Sequence, residues 1–385
     1  MRKLTIITDV PTPYRIYTFN LLCDKLKIEN IDFEVYFLGE TAAHRYWEID
    51  KSTLKFKFYF EKGIKIVFTR RSFYFNPNII LKLINSDIDN IILGGGWSQP
   101  SIILILILSK FKKWKTYFWL ELNENSVYFN NFFMNFIRLK IISLSNNFIL
   151  PGESALKFFK KINYKLFNYI FFPNLINETF YLREDKIGLD QFCESSDQIE
   201  KKMVFWPCRL NEHDKGVINF LGIIKDHLIL NKDLIKIVIA GEGPDRQIIS
   251  SFINKNRLEN IVELKGFLNQ DQIKNYYYTS HLFLLPSLID PNPLSVVEAL
   301  WSSLPIMISS NCGNSLESVV EELNGWVLNL SDPESIIDSW TMFVKSDNDK
   351  LKKMGKESFK IANKYFDSNS EIQNLIKALK NDNGS

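Results

Sequence analysis

Cysteine is scarce and scattered: the 385 residues contain four, Cys23, Cys193, Cys208 and Cys312, with no CxxC and no Cys/His pairing. That spacing excludes a zinc module and a disulfide framework, and it fits a reducing cytoplasm. Histidine is equally sparse, at four residues. Long apolar runs are missing too. The longest purely aliphatic stretch is residues 102–108, far short of the roughly 20 needed to span a bilayer. The opening MRKLTIITDV reaches Asp9 after a short apolar core, so no secretion signal is expected. Charge of one sign is also lacking, with 47 Lys+Arg against 44 Asp+Glu, a formal +3.

What is present is an ordinary folded composition: 46% hydrophobic and 24% charged residues. Disorder, collagen-like repeats and coiled coil are excluded as whole-chain descriptions. At roughly 150 residues per domain, the length favours two domains. The charge is unevenly spread. Residues 1–180 hold 24 basic and 15 acidic side chains, and 14 basic against 5 acidic fall within 51–150. There the basic residues are interleaved with aromatic and aliphatic ones. A solvated helical face and attachment to an anionic membrane leaflet both fit that pattern. Nucleic acid is not an expected partner, because no nucleic-acid-binding motif accompanies the modest excess.

Short β-branched runs alternate with amphipathic stretches, twice over. The first set predicts strands at 4–8, 32–38, 90–93, 116–120 and 147–150, with helices near 15–27, 77–86, 99–110, 129–145 and 153–162. The second predicts strands at 203–207, 235–240, 261–264, 282–285 and 305–308. Its helices fall near 216–229, 244–254, 270–278, 294–302 and 332–343. Apolar strands alternating with helices imply parallel sheets covered on both faces. The expected fold is therefore α/β, with two Rossmann-like doubly wound domains facing a cleft. The expected boundaries are 1–182 and 203–364, joined by a polar linker over 183–202. A C-terminal helix at about 365–380 is expected to pack back on the first domain.

Ligands of such sheets bind beyond the carboxyl ends of the strands, and three segments there carry chemistry. Gly94-Gly-Gly96 and Gly241-Glu-Gly243-Pro244 follow strands, but neither is a GxGxxG fingerprint or a Walker loop, so the dinucleotide and P-loop readings fail. Such glycines either make a tight turn or let a ligand approach the backbone. Arg209-Leu-Asn-Glu-His-Asp-Lys215-Gly216 places an arginine fork and a lysine point charge on one strand-to-helix loop, which suits a diphosphate. Pro286-Ser-Leu-Ile-Asp290-Pro-Asn292-Pro293-Leu294-Ser295-Val-Val-Glu298 runs from a strand through a proline-rich loop into a helix. The first N–H groups of that helix, at Leu294 and Ser295, would be open to an anion.

The segment Asp290–Glu298 resembles the E-x7-E signature of retaining GT-B glycosyltransferases, in its E-G-F-P-L-S-x-x-E form. LLPS at 284–287, Ala299-Leu-Trp-Ser-Ser-Leu-Pro305, Ile239-Ala-Gly-Glu-Gly-Pro244 and Gly266-Phe267-Leu268 are similar to the same family's pattern. Together they resemble glycosyltransferase family 4 across about residues 203–330. Pro11-Thr-Pro13-Tyr14-Arg15, Arg45-Tyr-Trp47, Gly95-Gly-Trp97 and Trp119-Leu-Glu121 look like a subgroup with a Pro-Tyr-Arg first loop.

The resemblance implies a retaining, metal-independent hexosyltransferase with no cofactor. It would take a UDP- or GDP-sugar in its C-terminal domain and a glycan or lipid-linked glycan in its N-terminal domain, in surface polysaccharide assembly such as capsule or lipopolysaccharide. Arg209 and Lys215 would hold the diphosphate, Glu298 the ribose hydroxyls and Asp290 the transferred sugar. The backbone amides of Leu294 and Ser295 would meet sugar or phosphate, with Gly243, Phe267, Leu268, Asn292 and Pro293 around the donor. Pro13, Tyr14, Arg15, His44, Trp97 and Glu121 would serve the acceptor, with Glu121 the candidate base and Arg15 suited to phosphate-bearing carriers. The location implied is cytoplasmic, peripheral on the inner face of the membrane. Three positions depart from the pattern: Asp290 for the usual glutamate, Asn292 for an aromatic and His281 for an aspartate. Two rivals remain: a non-catalytic GT-B scaffold and a nucleotide-sugar epimerase. Asp87-Ile-Asp89 reads as the entry to a strand rather than a metal site.

Overall fold

The computed structural model describes residues 1–41, 49–68, 71–112, 114–123, 132–162, 164–166, 168–182 and 201–381. It divides into two compact units, Met1–Ile176 with Ser368–Ser385, and Asn177–Asp367.

The first unit runs β1 (Lys3–Thr8), α1 (Pro13–Ile28), β2 (Asp32–Phe37), β3 (Lys57–Phe60), β4 (Ile64–Phe68), β5 (Arg71–Phe75), α2 (Pro77–Ile84), β6 (Asn90–Leu93), α3 (Pro100–Lys112), β7 (Lys115–Trp119), α4 (Phe132–Ile142), β8 (Asn147–Leu150), α5 (Glu153–Lys161) and β9 (Asn168–Phe171). Seven strands form a wholly parallel sheet in the order β3-β2-β1-β6-β7-β8-β9. Strand β4 pairs antiparallel with β5 in a separate hairpin. The central strands are apolar on both faces because both faces are covered. Alternate residues divide accordingly: Ile7, Ile91, Leu93 and Phe118 pack with Ile79, Ile102 and Ile105 of α2 and α3. Ile6, Ile92, Tyr117 and Trp119 pack with Phe19 and Leu22 of α1 on the other face.

The second unit runs α6 (Glu178–Tyr181), β10 (Lys202–Pro207), α7 (Glu212–Lys215), α8 (Val217–Leu230), β11 (Ile235–Ala240), α9 (Arg246–Lys255), β12 (Val262–Gly266), α10 (Gln270–Thr279), β13 (Leu282–Leu285), α11 (Leu294–Trp301), β14 (Ile306–Ser309), α12 (Ser315–Ser318), β15 (Gly325–Leu328), α13 (Pro333–Lys345) and α14 (Asn348–Tyr365). Its six parallel strands follow the order β12-β11-β10-β13-β14-β15. The last helix, α15 (Ser368–Asn381), belongs to the first unit. Its Ile372, Leu375, Ile376 and Leu379 join Phe19 and Leu22 of α1 in one apolar cluster.

The division between units falls at Ile176/Asn177, not at the expected 182. Residues 177–182 go with the second unit because α6 packs on α11 and the Tyr278 hydroxyl donates to the Leu182 carbonyl at 2.7 Å. The expected linker over 183–202 lies outside the described residues up to 200, and Lys202 already opens β10. In both sheets the order reverses once, between β1 and β6 and between β10 and β13. Those reversals are where doubly wound sheets bind ligands.

Candidate functional site

In the second unit, β10 ends at Pro207 and the chain turns through Cys208–Asn211 into the short α7. Gly216 closes α7 at φ 60°, and a Cβ there would lie 2.9 Å from the Leu288 side chain. This left-handed residue turns the chain directly into α8. The loop after β11 presses on the same segment. A Cβ on Gly243 would sit 2.1 Å from the Leu210 carbonyl oxygen, and Gly241 has φ 143°. Only glycine permits that approach of two backbones.

Lys215, at the end of α7, forms an ion pair with Asp290 in the loop after β13, and both side chains are mostly buried. Burial works against the lysine's charge, but Asp290 outweighs it and raises the ammonium's pKa. The Asp290 loop is itself fixed: its carbonyl accepts the Gly313 N–H at 2.9 Å, and the Asn314 amide donates to the Pro293 carbonyl at 2.9 Å. Pro293 then opens α11 with no side-chain cap, so the first-turn N–H groups of Leu294 and Ser295 keep their capacity for an acceptor. Arg209 is exposed and makes no ion pair among the described residues. Glu298 is half-buried one turn into α11 and accepts from the Tyr277 hydroxyl at 2.7 Å. Burial pushes its carboxyl pKa up, and the phenols of Tyr277 and Tyr181 oppose that shift.

Arg209, Lys215, Asp290, the α11 N-terminus and Glu298 thus all sit on the loops after β10 and β13, or on the helix that follows. Phe267 is exposed and Leu268 half-buried on the loop after β12, and Asn292 is half-buried beside Asp290. His213 is exposed, with Nδ1 2.8 Å from Asp214 Oδ1. His281 accepts the Met203 N–H on Nδ1 at 3.1 Å.

In the first unit, a cavity of about 360 Å³ opens over the ends of β1, β6 and β7. Its wall includes Tyr14, Arg15, Trp97 and Glu121 together with Asp9 and Gln99. Pro13 is not part of that lining; it is exposed in the first turn of α1. His44 lies outside the described residues.

Arg15 is tightly engaged within its own unit. Its guanidinium donates to Thr8 Oγ1, to the Gly94 carbonyl at 2.5 Å and to the Tyr14 hydroxyl at 3.2 Å, and its Nη2 lies 3.5 Å from Glu121. It also sits 5.2 Å from the centre of the Trp119 ring. Its side chain is 11% exposed. Arg15 thus ties α1 to the ends of β1 and β6 and to Glu121 while lining the cavity.

Asp9 and Gln99 join the cavity wall without a motif to mark them, and Trp119 joins it from the Trp119-Leu-Glu121 motif. Gln99 Nε2 donates to Asp9 at 3.1 Å and to the Ser72 carbonyl at 3.0 Å. Two lining residues, Thr12 and Trp119, hold buried polar atoms with no hydrogen-bond partner among the described residues. A hydroxyl-bearing ligand would satisfy such groups. The position of Asp9 directly after a strand was the available signal. Asp89 accepts the backbone N–H groups of Arg2 and Lys3 at 2.5 and 3.3 Å, which ties the start of β1 to that of β6.

The two doubly wound units define the GT-B fold. Solved structures with it include Anabaena Alr3699/HepE in complex with UDP, with a TM-score of 0.73 at 13% identity over 98% of this chain and 100% of that one. The apo lipopolysaccharide outer core galactosyltransferase WaaB gives 0.72 at 12% identity, covering 99% of each. Residues 194–361, most of them in the second unit, match the family of glycosyl transferases group 1. An uncharacterized glycosyltransferase of Methanocaldococcus jannaschii is 28% identical over 153 residues, 40% of this chain and 38% of its own length. The chain covers 31–38% of the length of the first curated relatives it matches.

Proposed function

We propose that the chain is a retaining, metal-independent glycosyltransferase. It moves a hexose-type sugar from a UDP- or GDP-sugar to a glycan or lipid-linked glycan acceptor in surface polysaccharide assembly. The observation that carries this reading is the arrangement of Arg209, the Lys215–Asp290 pair, the uncapped N-terminus of α11 and Glu298 at the strand-order reversal of the second unit. The match of residues 194–361 to glycosyl transferases group 1 supports it.

The hard step in sugar transfer is departure of the nucleoside diphosphate. Charge that develops on the leaving phosphate is best met by groups already in place. Arg209 supplies an uncommitted planar fork, Lys215 a point charge held by Asp290, and α11 its helix dipole. These groups meet the phosphate charge without a bound cation. Asp290, anchored through its own carbonyl and by Lys215, offers acceptor oxygens to the transferred sugar, and Glu298 receives the ribose diol. The cavity of the first unit, with Trp97 and Trp119 as stacking surfaces and Asp9, Gln99 and Glu121 as polar contacts, receives the acceptor sugar. Glu121, oriented by Arg15, takes the acceptor proton.

The test is turnover. The protein is incubated with UDP-glucose, UDP-galactose, UDP-N-acetylglucosamine and GDP-mannose, with a lipid-linked oligosaccharide fraction as acceptor. Nucleotide release is followed, and the anomer of the product is read by NMR. Acceptor-dependent release with an α-linked product from an α-donor is expected. An inverted product removes the retaining mechanism. No release with any pair removes the transferase reading in favour of a non-catalytic scaffold.

A further inference from the structure

Glu298 is a half-buried carboxyl group on α11, yet it forms no ion pair among the described residues. Two phenols stand against it instead, and one of them, Tyr277, is hydrogen-bonded to it. Tyr277 of α10, fully buried, donates to Glu298 Oε2 at 2.7 Å; the Ser295 carbonyl is further from the same hydroxyl, at 3.2 Å. Tyr181, at the end of α6, stands beside Tyr277 and interacts with the same carboxylate. The two rings meet edge to face, 5.8 Å between centroids. Tyr277 is locked by Phe205 of β10 and Phe283 of β13, and Tyr181 by the Tyr278 hydroxyl on the next carbonyl, Leu182.

A carboxylate offers about four lone-pair positions, and each phenol donates once. The Tyr277 hydrogen bond therefore orients the carboxylate and leaves about three acceptor positions, enough for a vicinal diol. A lysine or arginine partner would occupy the same oxygens with several donors and weaken them as acceptors. Burial and the charge of Glu298 raise the pKa of both tyrosines, so both hydroxyls remain donors.

We propose that Tyr181 and Tyr277 are positioning residues that set ribose selectivity at the nucleotide site by holding the Glu298 carboxylate ready for a diol. This rests on the nucleotide-sugar reading given above. Neither tyrosine touches the nucleotide; each acts through Glu298.

The test is isothermal titration of the full chain with UDP and GDP and with their 2′-deoxy counterparts, on wild type, Tyr181→Phe, Tyr277→Phe and the double variant. Wild type should bind one ribonucleotide about tenfold or more tighter than its deoxy form, as expected for a hydrogen bond to a charged acceptor. Each Phe variant should lose about three- to tenfold in affinity for the ribonucleotide while its affinity for the deoxy form changes less than twofold. The double variant should barely discriminate. Equal weakening of both forms, or full discrimination in the Phe variants, would overturn the proposal. Binding of neither nucleotide by wild type would remove the nucleotide site itself and this inference with it. If Tyr277→Phe disturbs the core, Tyr181→Phe decides alone, since Tyr181 is only half-buried.

Discussion

Lys215 and Asp290 lie 75 positions apart, and their ion pair fastens the loop after β10 to the loop after β13. Removing one partner strands the other charge in a mostly buried site, a change that costs about 3 kcal/mol. Lys215→Ala should therefore lower the Tm by about 5–10 °C by calorimetry. An unchanged Tm would mean that the pair is not structural. Because the folded lysine's pKa is raised, the pair's contribution is fully present below the ordinary lysine range. It is lost as pH rises through the folded value, so stability between pH 6 and 9 should not vary on its account. Gly243→Ala should weaken nucleotide binding at least tenfold in titration, because its Cβ meets the Leu210 carbonyl oxygen and the loop must move. Glu121→Gln should cut turnover by about 10²-fold, the lower range for a lost general base, with nucleotide affinity unchanged. A loss below threefold would take the base role from Glu121.

These side chains were unequally visible in the sequence. The segments around Arg209, Lys215, Asp290 and Glu298 stand out because proline, glycine and charge punctuate strand ends. Tyr181 and Tyr277 carried no such mark: they reach Glu298 from 117 and 21 positions away, and only the packing of α6 and α10 on α11 brings them there. Arg15 was visible as a residue, but its engagement with Thr8 and Gly94 depends on strand neighbours that no local pattern states.

At the scale of elements, the strands with unbroken apolar runs were legible to within a residue or two. β6, β8, β11 and β13 begin and end where the sequence places them, because a strand buried on both faces has no competing period. β3, β9, β15 and the β4–β5 hairpin were not anticipated. All lie at sheet edges or outside the two large sheets, and in β3, β9 and the hairpin exposure mixes polar with apolar residues. α14 was missed as well, a helix rich in lysine with a glycine in its interior.

The hairpin has its own consequence. Ile64, Ile66, Val67 and Phe68 are all more than half exposed, and β5 packs on α3, whose exposed Phe111 stands between Lys110 and Lys112. Apolar side chains flanked by lysines fit an anionic bilayer surface. Replacing Ile64, Ile66 and Phe68 with serine should abolish cosedimentation with phosphatidylglycerol vesicles at unchanged stability. Equal partitioning of wild type onto neutral and anionic vesicles would contradict the membrane reading. α15 is a second test: Leu375, 2% exposed, packs with α1, so Leu375→Ala should cost about 2–4 kcal/mol in urea unfolding.

At the scale of the whole molecule, a seven-stranded and a six-stranded parallel sheet each reverse order once, and a different candidate site lies at each reversal. The basic and aromatic excess belongs to the first unit, and the punctuated motifs belong to the second. That asymmetry was readable from composition and spacing, and the proposed function gives the acceptor to the first unit and the nucleotide-sugar to the second. The most direct measurement is a thermal-shift screen of UDP, GDP, ADP and CMP on wild type and on Arg209→Ala. At 100 times its dissociation constant a ligand adds about 2.7 kcal/mol to the folded state, or roughly 5–10 °C for a unit of this size. A shift with UDP or GDP that vanishes in Arg209→Ala is the predicted result. No shift with any of the four, or a shift indifferent to Arg209, would contradict the nucleotide-sugar site.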